Sequence, residues 1–444
     1  MNKNLLYKVL GVLFLTLVMS WALSYVNSLI LERQARQNEV INQIAKSSSG
    51  RQTLVGPVLV IPYTLNYPQT YIENNVDKIT IRHEENKIYI YPEELQLSGG
   101  FTNEFKYIGI YKALMYQMGG SVSGKFKIPA NLGIKSEHAN STYTIHDVYL
   151  SIGITDTRGI IGKPTLNWNQ TSIDFEQGSQ LPGLGNGIHA ALSAISLEEQ
   201  HIPFDFKLNL GGMESFDIVP IANMNKVTLQ SSWPHPSFSG SFLPIAANQK
   251  IDDQGFSANW AISSLSGNVQ EKLSSQLASQ SQQGLDSISV GFVEPINIYS
   301  QSDRATKYGM LFIGLTFAGF FIFEILKRLP IHPAQYTLVG LAMALFYLLL
   351  ISLSEHMSFI WSYLIASLAC ITLLAYYLSY VLKSKTHGLV FAGLLTALYG
   401  ALYGILASED NALLMGSLLV FGLLALGMIA TRKVDWYQIG LPVH

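Results

Sequence analysis

One acidic residue, Glu324, lies inside an apolar stretch of the sequence. A charged side chain in hydrocarbon costs on the order of 2.5 kcal/mol or more, so such a residue indicates a functional role by default. Together with His332, Glu324 could form a proton relay in a small transporter or exporter. A structural interpretation is also open, because Lys327 and Arg328 follow within one helical turn and could pair with the carboxylate.

The stretch from Ile331 to Tyr336 has the pattern of a helix start. His332 stands directly before Pro333, and proline suits the first turn of a helix because it has no N–H to lose. Capping and anchoring at a membrane interface therefore explain His332 and Gln335 without chemistry. Both stay candidate functional residues beside the relay hypothesis.

A second carboxylate–imidazole pair, Glu355 and His356, is adjacent in the sequence. This pair could do acid–base work, as in a hydrolase at the membrane edge. Adjacent residues at a helix end do not face the same way, however. A loop that docks under the external domain is the alternative.

The segment Trp233-Pro234-His235-Pro236 combines rigid backbone with aromatic side chains. At an exposed loop it would make a binding surface, since stiff aromatic contacts lose little entropy on association. The alternative is a buried tryptophan that closes the edge of a β-sandwich. Trp233 and His235 are therefore candidates for partner binding.

Known catalytic motifs are absent from the sequence. It has no Gly-x-Ser-x-Gly, Ser-x-x-Lys or His-Glu-x-x-His. A partial phosphate-loop match at 119–125 fails at Phe126, which stands where a magnesium-binding hydroxyl is needed. The histidines lack the spacing of metal ligands, and His138 and His146, eight positions apart, are only a weak indication of a metal site. Cys370 is the single cysteine, so the sequence has no cysteine-based metal site. We therefore expect no catalytic residues, no cofactor, no metal and no enzymatic activity.

Six apolar runs could position these residues in a membrane. Each is about as long as a helix that crosses ~30 Å of hydrocarbon, and they span approximately 9–30, 309–326, 335–354, 358–382, 388–407 and 411–430. With the first run starting inside, all Lys and Arg outside 31–308 fall on the cytoplasmic side. The pattern predicts a six-pass protein with both termini inside and 31–308 outside. The first run lacks a small-x-small cleavage site, which predicts an uncleaved signal anchor.

The fifth run carries small residues along one face, at Gly393, Ala397, Gly400 and Gly404. Small residues at this spacing let two helices approach closely, so we expect helix packing here. A pore lined by these glycines is the alternative.

The segment 31–308 has the composition of a soluble domain, with 20 basic and 25 acidic residues among the 28 and 30 of the whole chain. Its mild negative charge does not favour nucleic acid as a partner. The helix of the first run should continue through Ala45 and end at Gly50. Short β-branched and aromatic runs then predict an antiparallel β domain, with a hairpin turn at 84–87.

Two stretches of the β domain differ from the strand pattern. Residues 187–200 suit a short helix, and 264–285 suit a surface helix with apolar residues at helical intervals. Three alternating glycines at 183, 185 and 187 predict a flexible loop. Whether 31–308 forms one domain or two stays open.

Several longer stretches resemble the CreD family of inner-membrane proteins from Gram-negative bacteria. They are Leu54–Tyr63, Trp233–Gly240, Gly255–Trp260, Asp303–Tyr308, Ile331–Tyr336 and Ser352–His356. The resemblance covers nearly the whole chain. It implies an inner-membrane location and a link to the envelope-stress and β-lactam response, but it carries over no catalytic residues.

These observations predict a polytopic α-helical membrane protein with a large β-rich, sandwich-like periplasmic domain between the first and second of six spans. The expected divisions are an anchor at 1–30, a periplasmic domain at 31–308, five helices at 309–434 and a cytoplasmic tail at 435–444. The expected function is support of cell envelope integrity. Membrane lipid and an envelope protein or peptidoglycan are the expected partners, and the oligomeric state stays open.

Overall fold

The computed structural model describes residues 3–73, 76–134, 140–193, 195–279, 284–294, 297–327, 331–382, 384–408 and 411–432. The chain divides into two compact units. The helical unit combines Met1–Glu39 with Ile296–His444, and the β unit is Val40–Pro295.

The helical unit is built from apolar helices, as the six hydrophobic runs predict. The helices are α1 (Lys3–Ser47), α3 (Ile298–Lys327), α4 (Pro333–Ser354), α5 (Phe359–Val381), α6 (Lys385–Ala407) and α7 (Ala412–Thr431), while α2 (Val269–Ser279) belongs to the β unit. Within the described residues, α1 and α3 to α6 are long and apolar enough to cross a membrane. The apolar part of α7, Leu414–Ile429, is shorter. The helix of the first run continues past Ala45, as expected.

The β unit contains two sheets. Its strands are β1 (Gln52–Glu73), β2 (Val76–Ile90), β3 (Glu94–Ile108), β4 (Tyr111–Ile128), β5 (Thr142–Ile145), β6 (Tyr149–Ile154), β7 (Thr165–Trp168), β8 (Thr171–Asp174), β9 (Glu176–Gln177), β10 (Gly187–Ala191), β11 (Gln200–Met213), β12 (Ser215–Val219), β13 (Met224–Ser231), β14 (Pro236–Gly240), β15 (Lys250–Asp252), β16 (Gly255–Ser263) and β17 (Ile288–Phe292). One sheet has the order β14-β17-β12-β1-β6-β10-β9, with β2 and β5 also paired to β1. The other has the order β15-β16-β13-β3-β4-β11-β7-β8.

The two sheets enclose a common hydrophobic core. Leu54 and Ile152 of the first sheet belong to the same buried cluster as Val122, Phe204 and Leu229 of the second. The long strands β3, β11 and β13 contribute alternate residues to this core, because successive side chains of a strand point to opposite faces. The pairing is not wholly antiparallel as expected, since β1–β12 and β3–β13 are parallel.

Two local predictions in the β unit are wrong. Residues 84–87 do not form a turn, because they lie within β2 and pair with β1 from Pro62 to Leu65. Residues 187–191 form β10 rather than a helix, since pairing with β6 and β9 overrides the helix preference of the two alanines. The predicted surface helix within 264–285 is confirmed as α2 (Val269–Ser279).

The glycine face of α6 is not where the described helices approach most closely. A Cβ added at Gly393 or Gly400 would meet nothing within 4 Å, whereas one at Gly404 would lie 3.1 Å from Met415. Closer approaches occur at Gly340 of α4, where a Cβ would lie 2.8 Å from atoms of Met19 and Phe317, and at Gly388 of α6, where it would lie 2.9 Å from the backbone of Ser379 in α5. The packing expected along the α6 face is therefore limited to its Gly404 end.

Candidate functional site

Glu324 lies at the centre of a buried polar cluster near the end of α3. Only 5% of the surface of Glu324 is exposed to solvent. Lys8 of α1 donates a hydrogen bond to carboxylate oxygen Oε1 and forms an ion pair with it. The Tyr336 hydroxyl donates to Oε2 at 2.9 Å, and the Ile331 N–H donates to Oε1 at 3.4 Å. Both oxygens are thus hydrogen-bonded, which offsets the cost of burying the carboxylate.

This cluster joins three helices of the helical unit and differs from the predicted pairing. The expected partners Lys327 and Arg328 have side chains outside the described residues. Lys8 comes from the far end of the sequence, with 45% of its side chain exposed. The arrangement can hold a negative charge inside apolar surroundings.

His332 and Gln335 form the helix cap that the sequence suggests. His332 is the N-cap of α4, and its Nδ1 accepts a hydrogen bond from the Ala334 N–H at 3.2 Å. The Gln335 side-chain oxygen accepts from the His332 N–H at 3.1 Å, which completes a capping box. Among the described contacts none joins His332 to Glu324, so the relay pair is not assembled by direct contact.

Glu355 forms a second polar cluster, at the other end of α4. The Tyr299 hydroxyl donates to its Oε1 at 3.2 Å, and the Arg33 Nε lies 3.8 Å from the same oxygen. His356 is exposed, and the described contacts give its side chain no partner. The structure therefore joins Glu355 to a tyrosine and an arginine rather than to the adjacent histidine.

The two clusters mark two levels along the helical unit. On α1, Lys8 and Arg33 are 25 positions apart (33 minus 8), and on α3 Tyr299 and Glu324 are also 25 apart (324 minus 299). At ~1.5 Å per residue this is ~38 Å of helix. This separation exceeds the ~30 Å thickness of a hydrocarbon core.

Trp233 is half-buried and belongs to the margin of the β-unit core. Its ring packs edge-on against Phe105, with centroids 5.9 Å apart, and its Nε1–H donates to the Val293 carbonyl at 3.0 Å. His235 is exposed, and its ring centroid lies 6.2 Å from that of Trp233. Trp233 thus closes the core margin, whereas His235 faces solvent, and binding at this surface stays a prediction.

The Trp233–His235 segment leads directly into β14, which ends the first sheet. In the described strand order, β14 pairs with β17 along one edge, and its other edge has no partner strand. Such an edge strand presents free backbone groups that another chain can pair with. An exposed histidine, a half-buried tryptophan and a sheet edge therefore occur together.

Sequence reasoning missed how the end of α1 is held in the β unit. The Arg158 guanidinium donates to the carbonyls of Lys46 and Ala45 in the last turn of α1, the latter at 3.3 Å. The guanidinium also donates to the Asp156 carboxylate at 2.6 Å. This donation from Arg158 to the carboxylate holds the pKa of Asp156 below its usual value. No motif in the sequence predicts a contact between residues as far apart in the chain as Arg158 and Lys46.

Val40 and Ile44 of α1 pack in the same region against Ala113, Met115 and Met213 of the β unit. Basic side chains at a helix C-terminus satisfy the last carbonyls. The α1 end is thereby fixed by both polar and apolar contacts. One helix consequently contributes residues to both units of the chain.

Comparison with known proteins places the whole chain in one family. The family model described as inner membrane protein CreD matches residues 4–437. Inner membrane protein CreD of Escherichia coli (strain K12) is 34% identical over 443 residues, which cover 100% of this chain and 96% of the relative. The chain therefore belongs to the CreD family of inner membrane proteins.

Proposed function

We propose that this protein is a six-pass inner-membrane protein that supports envelope integrity during envelope stress. In this proposal both termini are cytoplasmic and residues 31–308 are periplasmic. The β unit binds an envelope protein or a cell-wall component through the surface around Trp233 and His235. The helical unit anchors that domain and relays its state.

The observation that carries the proposal is the sheet edge at β14 with its aromatic neighbour. Trp233 is held by Phe105 and by the Val293 carbonyl, so it is rigid before any partner binds. A pre-organised aromatic side chain next to an unpaired strand edge is a favourable docking surface, because little freedom is lost on binding. Family membership supports the envelope role.

Topology can be tested by cysteine labelling, because the chain has a single native cysteine. Cys370→Ala gives a thiol-free background, and His235→Cys and Lys385→Cys each add one reactive site. We expect a membrane-impermeant maleimide to label position 235 in cells with a permeabilised outer membrane. Position 385 should react only after lysis. The reverse pattern would place the β unit on the cytoplasmic side.

Partner binding can be tested by photocrosslinking in cells under β-lactam stress. A photoreactive residue at His235 should capture one dominant envelope protein or peptidoglycan fragment, identified by mass spectrometry. The same probe at Lys226, exposed on β13 of the other sheet, is the matched control. Trp233→Ala should reduce capture from position 235. Equal capture from both positions, or capture of the protein by itself alone, would contradict the proposed surface.

A second candidate function, a small transporter, is favoured by the buried Glu324 carboxylate. A charge held by Lys8 and Tyr336 between helices could be neutralised during a transport cycle. Glu324→Gln should then abolish rescue of a deletion strain under envelope stress while leaving the protein folded. Glu355→Gln is the matched control at the other polar level. Under the proposed anchoring function both variants should rescue normally.

A further inference from the structure

A cavity of about 400 Å³ lies on the outer face of the first sheet of the β unit. Val55 and Val219, from β1 and β12, line it and belong to the buried cluster under α2, on the opposite face from the main core. Residues 183–186 form one wall, and Gln276 and Leu285 close another. The volume is in the range of small-molecule sites.

Gln276 is an unpartnered polar side chain in this cavity. It lies on α2 between Leu273 and Leu277, which pack into the apolar cluster, and only 4% of its surface is exposed. Its side-chain oxygen forms no hydrogen bond within the described structure. A buried acceptor without a donor costs free energy, and a bound group that donates an N–H or O–H would remove that cost.

Asp217 supplies the charge of the cavity. Of the residues lining the cavity in the described chain, it alone is charged. Its carboxylate accepts a hydrogen bond from the Ser215 hydroxyl at 3.4 Å, and it forms no ion pair with a described residue. The cavity is therefore electrostatically suited to a cation and unsuited to an anion.

The remaining lining divides into apolar and small polar groups. Val55, Val219, Leu184 and Leu285 provide apolar surface. At Gly185 an added Cβ would meet nothing within 4 Å. The glycine-rich stretch that predicts a flexible loop thus forms a cavity wall.

We infer that this cavity binds a primary ammonium group carried on a short alkyl chain. The ammonium group pairs with the Asp217 carboxylate and donates a hydrogen bond to the Gln276 oxygen. The methylene groups pack against the valine and leucine side chains. An ammonium has three donors and no acceptor, which matches a site where the Asp217 carboxylate and the Gln276 oxygen are both acceptors.

This inference deepens the proposed function, because it names the chemistry of an envelope component that the β unit binds. The ammonium could come from a free alkyl amine or from a side chain of a peptide. The cavity is built from residues other than Trp233 and His235. Failure of amine binding would therefore leave partner capture at position 235 intact. Failure of partner capture would likewise leave amine binding intact.

The test is binding of 1,5-diaminopentane to the full-length protein in detergent, measured by isothermal titration calorimetry. Pentane-1,5-diol, which has the same chain without the charge, is the ligand control. We expect the diamine to bind and the diol to bind at least tenfold more weakly. Equal binding of the two, or no diamine binding up to about 10 mM, would overturn the inference.

Two variants localise the binding site. Asp217→Asn should weaken diamine binding at least tenfold, and Gln276→Leu should weaken it several-fold, with far-UV circular dichroism confirming folding. Asp253→Asn, which removes the same charge at an exposed turn, should bind like the wild type. Because Gln276→Leu removes an unpartnered oxygen from an apolar surrounding, it keeps the test informative if Asp217→Asn fails to fold. Unchanged binding by a folded variant of either residue would overturn the assignment.

A second arm identifies the source of the ammonium group. Nα-acetyl-lysine methylamide presents the same amine on a peptide backbone. Binding tighter than that of the diamine assigns the cavity to a peptide side chain, and weaker binding assigns it to a free amine. Absence of binding for both compounds contradicts the inference itself.

Discussion

Lys8 and Glu324 form an ion pair although 316 positions separate them in the sequence. The pair connects the start of α1 to the end of α3. Glu324 is buried and Lys8 is about half exposed, so the loss of the ion pair should cost more free energy at Glu324 than at Lys8. A buried carboxylate needs its counter-charge, whereas an exposed ammonium can be solvated by water.

This asymmetry predicts different effects for the two single substitutions. Lys8→Met leaves a buried carboxylate without its cation and should destabilise the protein by about 1–2 kcal/mol, less than a fully buried pair would lose. Glu324→Gln should cost less, because Gln can still accept from Tyr336. Thermal unfolding of the detergent-solubilised protein measures both. The double variant should recover part of the Lys8→Met loss, and strictly additive losses would contradict the coupling.

A second prediction concerns the close approach of helices at Gly340. A Cβ there would lie 2.8 Å from Met19 and Phe317. The methionine can move to admit one carbon, so Gly340→Val is the sharper change, and it should cost about 1–3 kcal/mol through overpacking. Gly400→Val is the control, because no atom lies within 4 Å of its added Cβ. Similar losses in thermal stability for both variants would refute this packing.

A third prediction tests the contact between β11 and the turn at Gly159. A Cβ at Gly159 would overlap the carbonyl oxygen of Gly211, which is backbone and cannot rotate away. Gly159→Ala should therefore lower the stability of the β unit by about 1–3 kcal/mol. Gly284→Ala, which adds its carbon to open space, should change stability little. Urea unfolding followed by tryptophan fluorescence compares the variants. Equal midpoints would contradict the predicted overlap.

Local patterns in the sequence predicted the elements that depend on nearby residues. The spacing of Val269, Leu273 and Leu277 indicated α2, and these side chains are buried on one side of that helix. The His332–Pro333 pair indicated a helix start, and the capping box is there. In both cases the physical cause lies within one or two helical turns, so the pattern is visible in the sequence.

Other features were not predictable because their causes are distant in the sequence. The turn expected at 84–87 is part of β2, whose residues are mostly exposed on both faces, so no alternation marked the strand. His189 is buried in β10, and its ring nitrogens form hydrogen bonds with the Gly178 carbonyl and the Gln180 side chain. No local pattern in the sequence reveals these partners. The Lys8–Glu324 pair likewise depends on how separate helices pack.

The fourth prediction concerns the pH dependence of the α1 anchorage in the β unit. Hydrogen bonds from Arg158 hold the pKa of Asp156 below its usual value of about 3.9. A carboxyl group whose pKa is lowered on folding stabilises the folded state above its unfolded pKa. That contribution is lost as pH falls through the lower folded pKa. The stabilisation from Asp156 should therefore be complete at pH 6, should begin to fall near pH 4 and should be lost once the pH is below the folded pKa.

Arg158→Met removes the cause of this shift and frees the carbonyls of Ala45 and Lys46. The melting temperature of the variant should be lower than that of the wild type at pH 6, and the difference should narrow from pH 4 to pH 3. Arg36→Met removes an exposed arginine that pairs with Glu39 at 3.2 Å, and it should change stability little at either pH. A difference for Arg158→Met that stays constant from pH 6 to pH 3 would mean that Arg158 stabilises the α1 end through its carbonyl contacts alone.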